Sequence, residues 1–323
     1  MRSVAGTTPP MGDGVNGPAE PLQAVKPSQA VTPSLSVSHS MARRLHFGPA
    51  GKPTTLKSGD YVKAIEVIAG MGLDAIEYEA VRGVRISEAK ARAIAEAAER
   101  YGVIVSMHAP YFINFASPDK QTVEKSRERL IASVRAASWM NAYAVVFHPG
   151  YYKGNSSPEE ALQRTIENLR SVDEYIEQQG IKGVWIAPET TGRTAQVGSV
   201  EEVVAICREL RHARPAVDWA HIHARSLGKH VVSVDDVVRI VEYIERELGT
   251  WAVKPLHTHF SKIGYGEGGE KEHHTLAEGE YGPDWRIVCR AYKNLGIEAV
   301  VISESPILEQ DALVMKKICE DEG

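Results

Sequence analysis

Between residues 45 and 304 a short apolar run gives way eight times to an amphipathic helical stretch, and this repeat constrains the fold more than any other feature. The runs fall at 45–48, 75–79, 104–108, 144–148, 184–189, 216–218, 256–259 and 299–304. Apolar strands alternating with helices favour a parallel sheet covered on its faces. Eight such units in a segment of this length close into an α/β (β/α)8 TIM barrel, the alternative being a doubly wound open sheet. The stretches between runs carry helix punctuation. Ser117-Pro118-Asp119, Ser157-Pro158-Glu159-Glu160 and Ser199-Val200-Glu201-Glu202 read as N-caps with acidic first turns, Ser87-Glu88 opens another helix, and Gly72, Gly102, Gly180 and Gly296 read as stops.

Residues 1–40 break the rhythm, with six of the 17 prolines, four glycines and only two basic and two acidic residues. A disordered extension is expected over 1–40 and the barrel over 41–323, with Met41 a candidate start. The extension has neither the apolar core of a secretory signal nor an Arg-rich amphipathic pattern. No apolar run approaches the roughly 18 residues of a membrane span, so the chain reads as soluble and cytoplasmic. Cys207, Cys289 and Cys319 form no CxxC pair and read as small core residues of a reducing compartment. Lys and Arg number 37 against 42 Asp and Glu, a net charge of −5, so any nucleic-acid contact needs a local basic surface. No GxSxG, GxGxxG or Walker sequence is present.

The polar residues gather where strands end. Five runs finish on His108, His148, Glu189, Asp218 and Glu304, and the seventh carries His257 and His259. In a barrel all strand ends open on one mouth, so these side chains should converge although they are far apart in sequence. His221 follows Asp218 by three, and a glycine-rich flexible loop at 264–269 returns Glu270-Lys271-Glu272-His273-His274 over the opening; His223 reads as a loop residue. One strand-end histidine is ordinary, but buried carboxylates beside imidazoles call for a compensating cation. Mixed nitrogen and oxygen donors without thiolate suit zinc, with manganese or iron as alternatives. A zinc site takes about four ligands, so this many candidates imply two or three ions, an arrangement suited to phosphate-ester hydrolysis. Tyr111 and Phe112 beside His108 are either core residues or a wedge for a substrate.

Taken together, His108-Ala-Pro-Tyr-Phe-Ile-Asn, Phe147-His148-Pro-Gly, Pro188-Glu189-Thr, Asp218-Trp-Ala-His221, His257-Thr-His-Phe-Ser, His273-His274-Thr-Leu and Ser303-Glu304 resemble, in order, the motifs of endonuclease IV, the zinc-dependent apurinic/apyrimidinic endonucleases of base excision repair. The likeness covers residues 47–306. It implies that His108 and His148 hold one zinc, that Glu189 bridges to a second completed by Asp218, His257 and Glu304, and that His221 and His273 hold a third. It further implies catalytic roles for Glu189 and Glu304, insertion of Tyr111 into the duplex, and hydrolysis 5′ to an abasic deoxyribose by a monomer. In the family an aspartate precedes the loop histidine by two positions. Here Lys271 stands there, so Glu270, Glu272 or water would complete the third site. The same fold hosts sugar isomerases and epimerases, whose single metal would use Glu189, Asp218, His257 and Glu304; a third reading keeps the zinc only as a structural element. Arg82, Lys153, Arg193, Arg225, Lys229 and Lys262 lie near strand ends and would form a basic rim.

Overall fold

The computed structural model describes residues 45–322, and the expected extension over 1–40 and the status of Met41 lie outside the described residues. In chain order the elements are β1 (Leu45–Pro49), α1 (Tyr61–Gly70), β2 (Ala75–Glu79), α2 (Glu88–Tyr101), β3 (Ile104–His108), α3 (Lys120–Trp139), β4 (Ala144–Phe147), β5 (Gly150–Tyr151), α4 (Pro158–Gln178), β6 (Trp185–Pro188), β7 (Gln196–Val197), α5 (Val200–Glu209), β8 (Ala216–Asp218), α6 (Trp219–Arg225), α7 (Val234–Leu248), a 3₁₀ turn (Thr250–Val253), β9 (Leu256–Phe260), β10 (Lys262–Gly266), β11 (Gly269–His274), α8 (Trp285–Leu295), β12 (Ala299–Ser303) and α9 (Glu309–Asp321).

Two parallel four-stranded sheets, β2-β3-β4-β6 and β1-β12-β9-β8, make the wall. Parallel bridges Ala50–Glu77, Ile186–Ala213 and Glu189–Ala216 close the two seams, so the eight expected strands form one barrel. At the first seam Gly48 leaves room for β2, because a Cβ there would lie 1.7 Å from the Ala75 carbonyl oxygen. Helices cover the outside. In α4 the buried positions Ala161, Thr165, Ile166, Leu169, Val172 and Ile176 recur at helical spacing, and each large aliphatic side chain so buried is worth about 1.5–3 kcal/mol. Ser87, Ser157 and Ser199 cap their helices as expected, Ser199 in a reciprocal box with Glu202. For α3 the cap is Asp119, which accepts from the N–H groups of Gln121 and Thr122, while Ser117 Oγ accepts from Asp119 N–H.

Inside the barrel the strand period of two sorts the chain into layers. Ala75, Ala144, Val146, Ala187, Ala216, Val300 and Ile302 form small apolar clusters. The other buried interior positions are polar, among them Glu77, Ser106, His108, Glu189, Asp218, His257 and His259. Two expectations need correction. Cys289 and Cys319 form a disulfide between α8 and α9, leaving only Cys207 free; these helices flank β12 and are also tied by Trp285 Nε1, which donates to the Met315 carbonyl. The glycine-rich segment after β9 is a β10–β11 hairpin, whose glycines hide its alternation in the sequence. Among the described residues no helix is long and apolar enough to cross a membrane.

Candidate metal centre at the barrel mouth

Strands β3, β8 and β9 carry donors at the mouth, and β4, β6 and β12 are each followed directly by one. Glu189 follows β6 and is fully buried. Its Oε2 faces His148 Nε2 at 2.9 Å and His108 Nε2 at 3.4 Å, while Oε1 faces His259 Nδ1 at 2.9 Å. A carboxylate that turns one oxygen to each side has the form of a bridge. Among the described residues four groups of donor atoms are each close enough for one ion: His108, His148 and Glu189; Glu189, Asp218, His259 and Glu304; His221, Glu270 and His273; and, one layer deeper, Glu77, His257 and His259. Asp218 Oδ2 is buried without a hydrogen-bond partner, the condition a cation would relieve. The histidines are oriented from behind: His108 Nδ1 donates to the Ala109 carbonyl and His221 Nδ1 to that of Thr190, both at 2.9 Å, leaving each Nε2 free to face the carboxylates.

The structure moves one assignment. His259, rather than His257, reaches Glu189 and Glu304, because β9 is in register with β8 so that Asp218 pairs with His259 and Ala216 with His257. His257 therefore sits one layer deeper, with Nε2 3.2 Å from Glu77 Oε2. His223 lies within α6 rather than a loop and is buried, its Nδ1 donating to the His230 carbonyl.

The third group depends on a bulge. In β10–β11 Gly264 pairs with Glu272 and Tyr265 with Glu270, so Lys271 is the unpaired extra residue. Without it, strand alternation would put Glu270 and His273 on opposite faces. With it, Glu270 Oε2 lies 3.6 Å from His221 Nε2 and Oε1 lies 4.0 Å from His273 Nε2. Glu272 stays in solvent, 72% exposed. Of the two carboxylates left open by Lys271, Glu270 is the one brought to the site. It fits only because residue 192 is glycine, since a Cβ there would lie 2.6 Å from Glu270 Cβ and 3.0 Å from His221 Cδ2.

The electrostatics follow from acids and imidazoles packed out of water. Burial favours neutral Glu189, but the charges of His259 and His148 hold its carboxyl well below the usual range. Glu304 behaves alike, held down to about 2 against burial by His259. Burial dominates for Asp218, raised to about 6, and for Glu79, raised to about 8. Burial would lower His108 and His221, yet the Glu189 hydrogen bond lifts the former to about 10 and Asp218 and Glu189 lift the latter to about 9.

Glu77 and Glu79 escaped the sequence reading. Their signal was the Ile-Glu-Tyr-Glu alternation of β2, which turns both carboxylates into the barrel. Around the mouth Tyr111 and Phe112 are 53% and 66% exposed, and the Tyr111 ring centroid is 5.8 Å from that of His108. Arg82, Lys153, Arg193 and Lys229 are exposed. Arg225 is not a free rim charge: its guanidinium donates to the carbonyls of Arg193 and Gln196 and to the Tyr152 hydroxyl, pinning one loop. Lys262 Nζ donates to the Glu278 carbonyl at 2.7 Å.

The chain is similar to known proteins in sequence and in fold. The family model described as xylose isomerase-like TIM barrel matches residues 65–318. An uncharacterised protein of Methanocaldococcus jannaschii is 36% identical over 84% of this chain and 96% of its own length. The Aquifex aeolicus protein named Probable endonuclease 4 is 27% identical over 59% of this chain and 64% of its own. Among solved structures, endonuclease IV from Thermus thermophilus superposes with a TM-score of 0.64 at 20% identity, covering 87% of this chain and all of that one. A D-tagatose 3-epimerase-like protein gives 0.60 at 22% identity over 81% and 94%.

Proposed function

The chain belongs to the xylose isomerase-like TIM barrel family, and from its mouth we propose a metal-dependent phosphodiester hydrolase that cuts DNA 5′ to an abasic site. The observation that carries this is Glu189 facing His108 and His148 with one oxygen and His259 with the other, beside a further His221–Glu270–His273 group. That is more donors than a single-metal sugar reaction requires. His108, His148 and Glu189 would hold one ion, Glu189, Asp218, His259 and Glu304 a second, and His221, Glu270 and His273 a third. Zinc suits these donors best, with manganese or iron as substitutes. When bound, such ions supply an activated water and neutralise charge on a phosphodiester in displacement.

The protein's own part is placement. Glu304 is 17% exposed and spans the groups, with Oε1 3.1 Å from His259 Nδ1 and Oε2 3.7 Å from His273 Nδ1, so its ionised carboxylate can accept a hydrogen bond from a group at the mouth. Tyr111 and Phe112 would press on the nucleotides flanking an everted sugar. Arg82, Lys153, Arg193 and Lys229 would meet phosphates, which makes binding weaken with salt by roughly 0.9 logarithmic units per phosphate and decade.

The test is incision of a duplex carrying a tetrahydrofuran abasic analogue, with metal measured in protein purified without chelator. Two or three ions per chain and cleavage at the analogue are expected. The Glu189–Asp218–His259–Glu304 group alone would suffice for a sugar epimerase, and one ion per chain with no incision would favour that reading. Glu304→Gln should keep most affinity for the abasic duplex and lose turnover; equal loss of both would place Glu304 in binding or folding.

A further inference from the structure

Below the mouth lies a group of donors that the proposed reaction does not use: Glu77 of β2 with His257 and His259 of β9. All three side chains are buried. His257 Nε2 lies 3.2 Å from His259 Nε2 and 3.2 Å from Glu77 Oε2, and Glu77 Oε1 lies 3.0 Å from His259 Nε2. The hydrogen bonds around these atoms do not close. His259 Nδ1 donates to Glu189 Oε1 at 2.9 Å, so Nε2 turns its lone pair inward. His257 Nε2 has at most one proton to give, and both His259 Nε2 and Glu77 Oε2 lie within its reach. Ser106 Oγ donates to Oε2 at 2.7 Å, whereas Oε1 is buried with no partner. A buried carboxylate oxygen left facing a lone pair is costly.

A cation answers what a proton cannot, because it need not lie on the line between two atoms. Ligand atoms of a tetrahedral zinc, each about 2.0–2.2 Å from the ion, stand roughly 3.3–3.5 Å apart, a few tenths of an ångström above the separations found here. Glu77 brings an oxygen to each imidazole, so four donor atoms are at hand, the number a structural zinc takes. Nitrogen donors favour such an ion over calcium or magnesium.

We propose that Glu77, His257 and His259 form a further divalent-cation site, closed inside the barrel, with zinc its best-suited occupant. Ser106 holds one oxygen of Glu77, and the Tyr143 hydroxyl, 2.5 Å from His257 Nδ1, orients that ring from behind. The ion would tie β2 to β9 across the interior, two strands that are not neighbours in the wall, so its role is structural. His259 is shared with the mouth. With the deep ion alone its Nδ1–H stays on Glu189; with the mouth's second ion bound as well, that proton passes to solvent and the ring carries an ion on each nitrogen. The deep site does not require the mouth to be filled.

The experiment uses the full chain stripped of metal, titrated with Zn²⁺ alone against a competing chelator, for wild type, Glu77→Gln and His257→Asn. Neither residue belongs to a group at the mouth. The two or three equivalents expected of the mouth become three or four in wild type, and both variants should lose the same single equivalent and keep the rest. Folded variants that bind as many equivalents as wild type overturn the site, as do folded variants that lose more than one. If neither variant folds, crystals of the wild-type chain grown with Zn²⁺ as the only divalent cation decide the matter: anomalous scattering at the zinc edge should show a peak between the three side chains. Peaks at the mouth with none below overturn the site and leave the mouth reading standing. A peak below an empty mouth upholds the site and defeats the mouth reading, and no zinc at either place defeats both.

Discussion

The mouth has two kinds of donor, and they differ in what holds them. His108, Asp218 and His259 lie on barrel strands and His148, Glu189 and Glu304 directly follow them, fixed by parallel neighbours on both sides. Glu270 and His273 ride on a two-stranded hairpin that meets the barrel loops through the Arg193–Gly269 bridge. A strand-end donor is placed by the whole barrel. A hairpin donor is placed by one bulge and one glycine, so its site should be easier to empty and easier to rebuild.

The largest effect is expected among the strand-end donors, at the carboxylate that two of their groups share. Glu189→Gln removes the charge shared between groups, and turnover on abasic duplex should fall on the order of 10³-fold, with at least one metal equivalent lost by elemental analysis. A variant that keeps its full metal content and rate would show that Glu189 is no bridge. On the hairpin, Glu270→Gln should remove or weaken a single equivalent about 10- to 100-fold and leave the strand-end ions in place. If strand-end ions leave with it, the two regions are one cooperative unit and the distinction drawn above is wrong.

How much of this the sequence disclosed follows the same division. Strand ends were legible because an apolar run that stops on a histidine or carboxylate announces both the strand and its last inward residue. The eight runs accordingly gave the barrel and brought His108, His148, Glu189, Asp218 and Glu304 to one mouth. Choosing between His257 and His259 needed the register of β9 on β8, which no local pattern contains. Glu77 was passed over because it is interior to a run; Glu79 ends that run and was missed as well, because two acids in five residues break its apolar character. The role of Lys271 was opaque for a different reason: a bulge is an unpaired residue, and pairing exists only once the partner strand is known.

Gly192 sharpens the comparison at smaller scale. Gly192→Ala would place a methyl 2.8 Å from Glu270 Oε2, and overpacking of this kind costs about 1–3 kcal/mol, or roughly 2–4 °C of melting temperature for each kcal/mol. The hairpin should yield before the barrel does. The Zn²⁺ titration should therefore show the same weakened equivalent as Glu270→Gln, with the circular-dichroism melt only a few degrees lower. Loss of the strand-end ions instead would mean that the strain is carried into β6.

The smallest effect is the pH dependence of the metal-free protein, and its sign is set by which groups keep protons in the fold. His221 and His108, raised to about 9 and about 10, bind protons more tightly folded than unfolded; their contribution is complete below about pH 6.5 and is lost as pH rises through those values. Glu79, raised to about 8 by burial, acts in the same direction: between its unfolded pKa near 4.3 and about 8 the fold holds a proton that the unfolded chain has released, so stability falls with rising pH. Glu189 and Glu304, held low, matter only at the acid end, where their contribution disappears as pH falls below the ordinary carboxylate range. The melting temperature of the stripped protein should thus decline by a few degrees from pH 6.5 to 9. Metal loading should reverse the slope, because ions compete with protons for these same imidazoles and carboxylates and bind better as pH rises. Melts of stripped and zinc-loaded protein across that range should therefore diverge. Parallel curves would mean that the raised histidines are not ligands, and the strand-end group would have to be read as a buried ion-pair network instead.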